Sequence, residues 1–240
     1  YLTACRIFTV RETVKISNVN CHNFASNDNL AFECAQMAGF ELENINKKPG
    51  NASNNSTPGL QVSNLSCYNE SPDVDTNFDY DNSYQGGAGL RLLNDCEYWR
   101  VSNSAFFGVC IGLWIKDAAN GTVVGTEFQN TLGVTKKSFI ASSIPEGAGL
   151  YVENSTGNSN KLTVSACKFN HNWGFSIRNA YSVISNRPMV VDSCQFIANS
   201  FTAISLAGVL RTKITNNFFQ RAHNYLSIAS WPWAAYMADK

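Results

Sequence analysis

Apolar and polar positions alternate along this chain in short bursts, and the bursts repeat. One phrase recurs as VKISNVNC, LQVSNLSC, YWRVSNSAFF, GTVVGTEF, KLTVSACKF, MVVDSCQF and TKITNNFF. Aligned on its central β-branched residue, it puts Ile16, Val62, Val101, Val123, Val164, Val191 and Ile214 at one position. Two residues on stands Asn18, Asn64, Asn103 or Asn216, with Gly125, Ala166 and Ser193 in the other three repeats. Five residues on stands Cys21, Cys67, Phe106, Phe128, Phe169, Phe196 or Phe219. A second phrase follows each of these, as GFELEN, GLRLLN, GLWIKD, GLYVEN, GFSIRN, AISLAG and YLSIAS. Its apolar pairs are Phe40/Leu42, Leu90/Leu92, Leu113/Ile115, Leu150/Val152, Phe175/Ile177, Ile204/Leu206 and Leu226/Ile228. Period-two alternation punctuated by Gly and Asn predicts short, half-buried strands. Each repeat therefore holds three: strand A at the Gly-Leu phrase, strand B at the Val phrase and strand C at the Phe.

The anchors lie 46, 39, 22, 41, 27 and 23 residues apart, a minimal unit of about 22 residues with insertions. Three strands in so short a unit fit one turn of a parallel β-helix, about seven coils over residues 14–230, in one domain spanning 1–240 that reads as a segment of a longer chain. Stacked coils lie about 4.8 Å apart, so equivalent side chains sit over one another. Asn18, Asn64 and Asn103 then stack at the turn from B to C, where Asn tolerates left-handed backbone and its amide can bond along the ladder. Cys167 and Cys194 become neighbours in an interior column and read as free buried thiols rather than a disulfide.

Composition sharpens this picture. Eighteen basic and 18 acidic residues cancel, which excludes recruitment of nucleic acid or an anionic membrane by net charge. Charged residues make up 15%, well below the roughly 25% of ordinary globular chains. Asn fills part of the gap, with 29 of the 240 residues. With 44% hydrophobic residues the chain can form a core, which argues against disorder. No apolar run approaches the roughly 20 residues that span a bilayer, and the N-terminus YLTACRIFTVRE lacks a signal-peptide layout. The eight cysteines contain no CxxC pair, and His22, His171 and His223 are far apart, so a structural zinc site is not supported.

The Asn ladder, the Val-x-Asn…Phe phrase and the Gly-Leu strand together resemble the pectate-lyase-like right-handed β-helix superfamily, which includes polysaccharide lyases, polygalacturonases, alginate epimerases and phage tailspikes. The resemblance covers roughly residues 14–230 and implies an all-β, single-stranded right-handed parallel β-helix with long inserted loops. The polygalacturonase signature is missing: no Asn-Thr-Asp, adjacent Asp-Asp, Gly-His-Gly and Arg-Ile-Lys occur in order. Plant-type pectin hydrolysis is therefore not expected.

Insertions point to the site. Between strands C and A the step is 19 residues from Cys21 to Phe40, 23 from Cys67 to Leu90 and 22 from Phe128 to Leu150, against 6 to 8 elsewhere. Three long loops thus hang beside strand A, the face on which members of the family bind polysaccharide. Alternation gives a first outward column of Glu41, Arg91, Trp114, Tyr151, Ser176, Ser205 and Ser227. The second reads Glu43, Leu93, Lys116, Glu153, Arg178, Ala207 and Ala229. Trp114 beside Tyr151 offers sugar rings a flat apolar platform, and Arg91, Lys116 and Arg178 suit anionic sugars. The same charges also read as a solvated ladder, Glu153 lying between Lys116 and Arg178.

Glycoside hydrolysis needs two carboxyls, roughly 6.5–9.5 Å apart for inversion. Glu41 and Glu43 protrude two residues apart on one strand, about 6.5–7 Å by strand rise. A second source is the loop Glu70-Ser-Pro-Asp73-Val-Asp75-Thr-Asn77-Phe-Asp79-Tyr-Asp81, where crowded carboxylates raise one another's pKa. The candidate catalytic carboxylates are therefore Glu41, Glu43, Asp73, Asp75 and Glu153, and the candidate glycan contacts are Arg91, Trp114, Lys116, Tyr151 and Arg178. The alternating Asp73, Asp75, Asp79 and Asp81 also offer hard oxygens to Ca²⁺, although an acidic solvated loop is the commoner outcome and no cofactor is otherwise expected.

The expected function is cleavage of a bacterial surface glycan by a tailspike β-helix, in a phage virion or outside the cell. The alternatives are a polysaccharide lyase, or a β-helix that only binds glycan or serves structure. The family resemblance implies a homotrimer, and Trp231-Pro-Trp233 suits a cap or a subunit contact. Neither nucleic acid nor membrane insertion is expected.

Overall fold

The computed structural model describes residues 2–10, 13–22, 37–45, 59–68, 87–94, 96–118, 120–131, 148–154, 161–172, 175–181, 188–199, 202–207, 211–221, 224–229 and 237–239. Among them every regular element is a strand. One sheet runs β1 (Leu2–Val10), β3 (Met37–Ile45), β5 (Ala88–Leu93), β8 (Ile111–Lys116), β11 (Ala148–Asn154), β14 (Phe175–Tyr181), β17 (Thr202–Ala207), β20 (Asn224–Ala229) and β21 (Met237–Asp239). The other runs β18 (Lys213–Thr215), β15 (Met189–Asp192), β12 (Leu162–Ser165), β9 (Gly121–Val124), β6 (Trp99–Ser102), β4 (Leu60–Tyr68), β7 (Ala105–Phe107), β10 (Glu127–Gln129), β13 (Lys168–Asn170), β16 (Gln195–Ile197) and β19 (Phe218–Gln220), with β2 (Val14–His22) paired to β4. Neighbouring strands are parallel, apart from the antiparallel pair β20 and β21. The chain alternates between sheets as it advances, an all-β parallel arrangement compatible with a β-helix.

The repeat phrases pair in register. Ile16, Val62, Val101, Val123, Val164, Val191 and Ile214 form one continuous row across the second sheet. Cys21, Cys67, Phe106, Phe128, Phe169, Phe196 and Phe219 form another. Parallel in-register strands force like on like, so the five Phe rings stack face to face at centroid distances of 5.3, 4.8, 4.9 and 4.9 Å. Near-parallel planes at these separations fall within the range of offset stacking, so the strand spacing and the usual preference of aromatic rings agree. Glycine makes room for the rings. A Cβ at Gly89 would stand 2.4 Å from the Phe106 ring, and one at Gly112 would stand 2.5 Å from Phe128. This is the physical reason for the Gly in the Gly-Leu phrase.

The turn between strands B and C is left-handed in every repeat. Asn18, Asn64, Asn103, Gly125, Ala166, Ser193 and Asn216 all have φ between 49° and 57°. Asn and Gly accept that conformation at low cost, Ala and Ser less readily. Along the column, Asn64 Nδ2 donates to Asn18 Oδ1 at 2.9 Å. A second amide ladder lies inside, after strand C. Asn172 Oδ1 accepts from Thr131 N and Oγ1, Asn199 Oδ1 accepts from Asn172 N, and both amide NH₂ groups donate to main-chain carbonyls of Phe128 and Phe169. Part of the Asn excess is thus buried, where it satisfies backbone groups that strand pairing leaves over.

Three features differ from expectation. β1 precedes the first recognised phrase and adds a strand with Cys5 and Ile7 packed toward the core. β2 and β4 run unbroken through the B-to-C turn despite the positive φ of Asn18 and Asn64. β14 sits two residues from its expected register: Ala148 pairs with Phe175 and Tyr151 with Arg178. Ser176, rather than Gly174, therefore continues the glycine column, because that register brings Ile177 against Leu150. The third C-to-A loop and the other two fall largely outside the described residues, as do Trp231 and Trp233. Cys167 and Cys194 are free and buried, as the sequence suggested.

Phe169 is fully buried between two stacked rings, so Phe169→Ala is expected to cost about 3–5 kcal/mol. Gln195→Ala, on an exposed position of the neighbouring strand, should change stability by less than about 0.5 kcal/mol. Urea midpoints measured at constant slope distinguish the two.

Candidate functional site

The outward face of the first sheet carries the sequence candidates. Its first column, read from the pairing, is Arg6, Glu41, Arg91, Trp114, Tyr151, Arg178, Ser205 and Ser227. The two-residue register difference at β14 moves Arg178 into this column, beside Tyr151, and takes it away from Glu153. Glu153 pairs with Ala180 on that side. The second column begins Phe8, Glu43, Leu93, Lys116 and Glu153. The expected ladder of Lys116, Glu153 and Arg178 is thus reduced to one ion pair, Lys116 Nζ to Glu153 Oε1 at 3.2 Å.

Arginines take the two glutamates of β3. Glu41 Oε1 accepts from Arg6 Nε at 2.8 Å, and its Oε2 accepts from Arg91 Nη1 at 3.2 Å. Glu43 accepts from Arg6 Nη2 and from Asn94 Nδ2, both at 2.8 Å. Asn94 first, then Arg6, hold the Glu43 carboxyl below its usual range. Such a carboxylate is ionised near neutrality and is suited to act as a base or an anionic partner, not as the proton donor of a hydrolase. Glu41 and Arg91 are 5% and 2% exposed, which makes theirs a buried ion pair. Arg6, by contrast, is exposed.

The aromatic centre follows. Arg91 lies over the Trp114 ring at 5.1 Å from its centroid. Trp114 and Tyr151 meet edge to face, centroids 6.0 Å apart and planes at 88°, so they form a corner and not the flat platform expected from sequence. Arg178 lies over Phe175 at 4.2 Å. Tyr151 and Phe175 join Ala88, Cys110, Ile111 and Ala148 in an apolar cluster separate from the main core, with Trp114 packed against it. The face thus carries two aromatic rings bracketed by two guanidinium groups on four adjacent strands, with Arg91 and Tyr151 buried and Trp114 and Arg178 half-buried.

Sequence reading missed Arg6, Asn94 and Phe175. Arg6 was readable by carrying the alternation of Cys5 and Ile7 upstream; Asn94 and Phe175 gave no signal without the register. Asp73, Asp75, Asp79 and Asp81 lie outside the described residues, and among those described no group of three or more His, Cys, Asp or Glu side chains is arranged to hold a metal.

No known family and no curated protein matches the chain. Among solved structures, a protein described as Geobacillus virus E2 ORF18 aligns with 99% of this chain and 55% of its own length, at 12% identity and a TM-score of 0.30. The chain thus spans about half of that protein. At such a distance neither fold nor activity carries over from one to the other.

Two outcomes follow from the charges. Arg91→Ala should cost about 3–5 kcal/mol by leaving Glu41 buried beside a single exposed partner, whereas Arg6→Ala should cost at most about 1 kcal/mol. Glu43 has a depressed folded pKa, so its contribution is present above its ordinary value of 4.5 and fades as pH falls through the lower folded one. Glu43→Gln should therefore flatten the acid side of the stability profile, read by urea unfolding between about pH 3 and pH 7.

Proposed function

We propose that this chain is a right-handed parallel β-helix that binds an acidic polysaccharide lengthwise along the outward face of its nine-stranded sheet. One observation carries the reading: Trp114 and Tyr151 stand on adjacent strands with Arg91 and Arg178 on the strands either side. Aromatic faces suit the C–H faces of sugar rings, and the half-buried Arg178 guanidinium suits carboxylate or sulfate substituents, while Arg91, paired with Glu41, orients Trp114. The row steps about 4.8 Å per strand, so consecutive residues of an extended glycan meet successive side chains. A bacterial surface polysaccharide is the partner this reading takes; a homotrimer and a phage-tail or extracellular setting rest on the family resemblance in the sequence.

Binding is better supported than cleavage. Glu41 and Glu43, the carboxylates spaced for hydrolysis, are both engaged by arginine, and Glu43 is held ionised. A hydrolase reading therefore needs its proton donor from elsewhere, and the Asp73–Asp75 segment is the source the sequence offers. Glu43 would then be the base.

On an array of bacterial capsular and lipopolysaccharide glycans, the chain is expected to retain acidic members, and Trp114→Ala or Arg178→Ala to weaken retention at least about tenfold each. Equal retention by wild type and both variants would overturn the binding reading. Reducing-end release that disappears with Glu43→Gln and with Asp75→Asn would establish hydrolysis; an ultraviolet-absorbing unsaturated product would identify a lyase instead.

A further inference from the structure

Cys21 and Cys67 occupy the column that holds a Phe ring in the next five repeats. They pair directly across β2 and β4. Both sulfurs converge on the same glycine: a Cβ built at Gly39 would lie 3.2 Å from Cys21 Sγ and 3.3 Å from Cys67 Sγ. Because thiols replace the much larger ring and Gly39 carries no side chain, the sulfurs have room to turn toward each other. Their exposure is unequal. Cys67 is fully buried and donates to the Gly89 carbonyl at 3.4 Å, whereas Cys21 is half-buried.

We propose that Cys21 and Cys67 form a reversible redox couple, a half-exposed attacking thiol backed by a buried resolving thiol, which a small disulfide such as oxidised glutathione converts to a Cys21–Cys67 disulfide. The closeness of the two thiols supports this division of roles: Cys67 lowers the pKa of Cys21, while Cys21 and burial raise that of Cys67. The Cys21 thiolate attacks glutathione disulfide, forming a mixed disulfide and releasing one glutathione thiolate. Cys67 then attacks the Cys21 sulfur as its proton passes to the departing glutathione sulfur. The Cys21–Cys67 bond forms, the Cys21–glutathione bond breaks and the second glutathione leaves. Two protein thiols are oxidised and one glutathione disulfide is reduced. Paired parallel strands hold Cα atoms about 4.8 Å apart, inside the 4.4–6.8 Å range of disulfides. Side chains rising in parallel start slightly wider than the usual Cβ separation of about 3.5–4.5 Å, so the closed bond is under some strain and opens readily to reductant.

Cys167 and Cys194 provide an internal comparison, since they too are stacked neighbours but are both about 1% exposed, with no entry for an oxidant. The experiment treats the whole folded chain with oxidised glutathione, blocks remaining thiols after unfolding and maps linkages by peptide mass spectrometry. The expected result is a Cys21–Cys67 linkage, a loss of two titratable thiols, recovery of both with dithiothreitol, and Cys167 and Cys194 still free. Cys67→Ala should trap glutathione on Cys21. Should that variant fail to fold, the wild-type map decides alone. A wild-type chain in which Cys21 stays glutathionylated with Cys67 free, links to Cys5, or remains unmodified overturns the proposal, as does equal oxidation of Cys167 and Cys194.

Discussion

The spacing of about 4.8 Å between hydrogen-bonded parallel strands is the constraint on which the rest of this structure depends. In-register pairing at that distance makes the equivalents above and below the constant neighbours of each side chain. A residue type therefore survives at a position only if it stacks on itself or on something complementary. Val on Val, Phe on Phe and amide on amide are the solutions seen here. Where sizes differ they compensate: Trp99 is almost completely buried because Gly121 stands beside it, where a Cβ would fall 1.9 Å from the indole.

The same spacing governs the outward face, with a different outcome. Like charges stacked at this distance repel, and the first column avoids this by alternating Arg6, Glu41 and Arg91 before turning aromatic. The glutamates are thereby consumed in holding arginines still. Arg91 is fixed from both sides, by Glu41 and by the face of Trp114.

How much of this was legible depended on whether the signal lay in the repeat or in the register. The Val, Asn and Phe positions were readable because each is dictated by stacking, and stacking imposes the same demand seven times over. Arg178 was misassigned because Gly174-Phe175 imitates the Gly-Leu phrase, while packing of Ile177 against Leu150 sets the actual alignment. β1 went unseen because it lacks the glycine and its alternation is carried by Cys5 and Ile7 alone. The inner amide ladder of Thr131, Asn172 and Asn199 was hidden for another reason: Asn spacing alone does not separate buried amides from those at turns. On the outward face, sequence placed Glu41, Arg91, Trp114 and Tyr151 in one column, as the strand pairing does. It could not foresee that Trp114 and Tyr151 meet at right angles, since side-chain rotation leaves no trace in periodicity.

The stacked rings from Phe106 to Phe219 have one more consequence. Ring contacts with other rings run only to the next in the series, so these aromatic couplings form a linear nearest-neighbour chain within the core. An interior ring such as Phe169 is held by two couplings, while Phe219, half-buried at the end of the series, is held by one. Loss of structure in such a thread advances as a melting front from its weakest terminus, and the aromatic corner of Trp114 and Tyr151, which borders the strands of the interior rings, lies where that front arrives last.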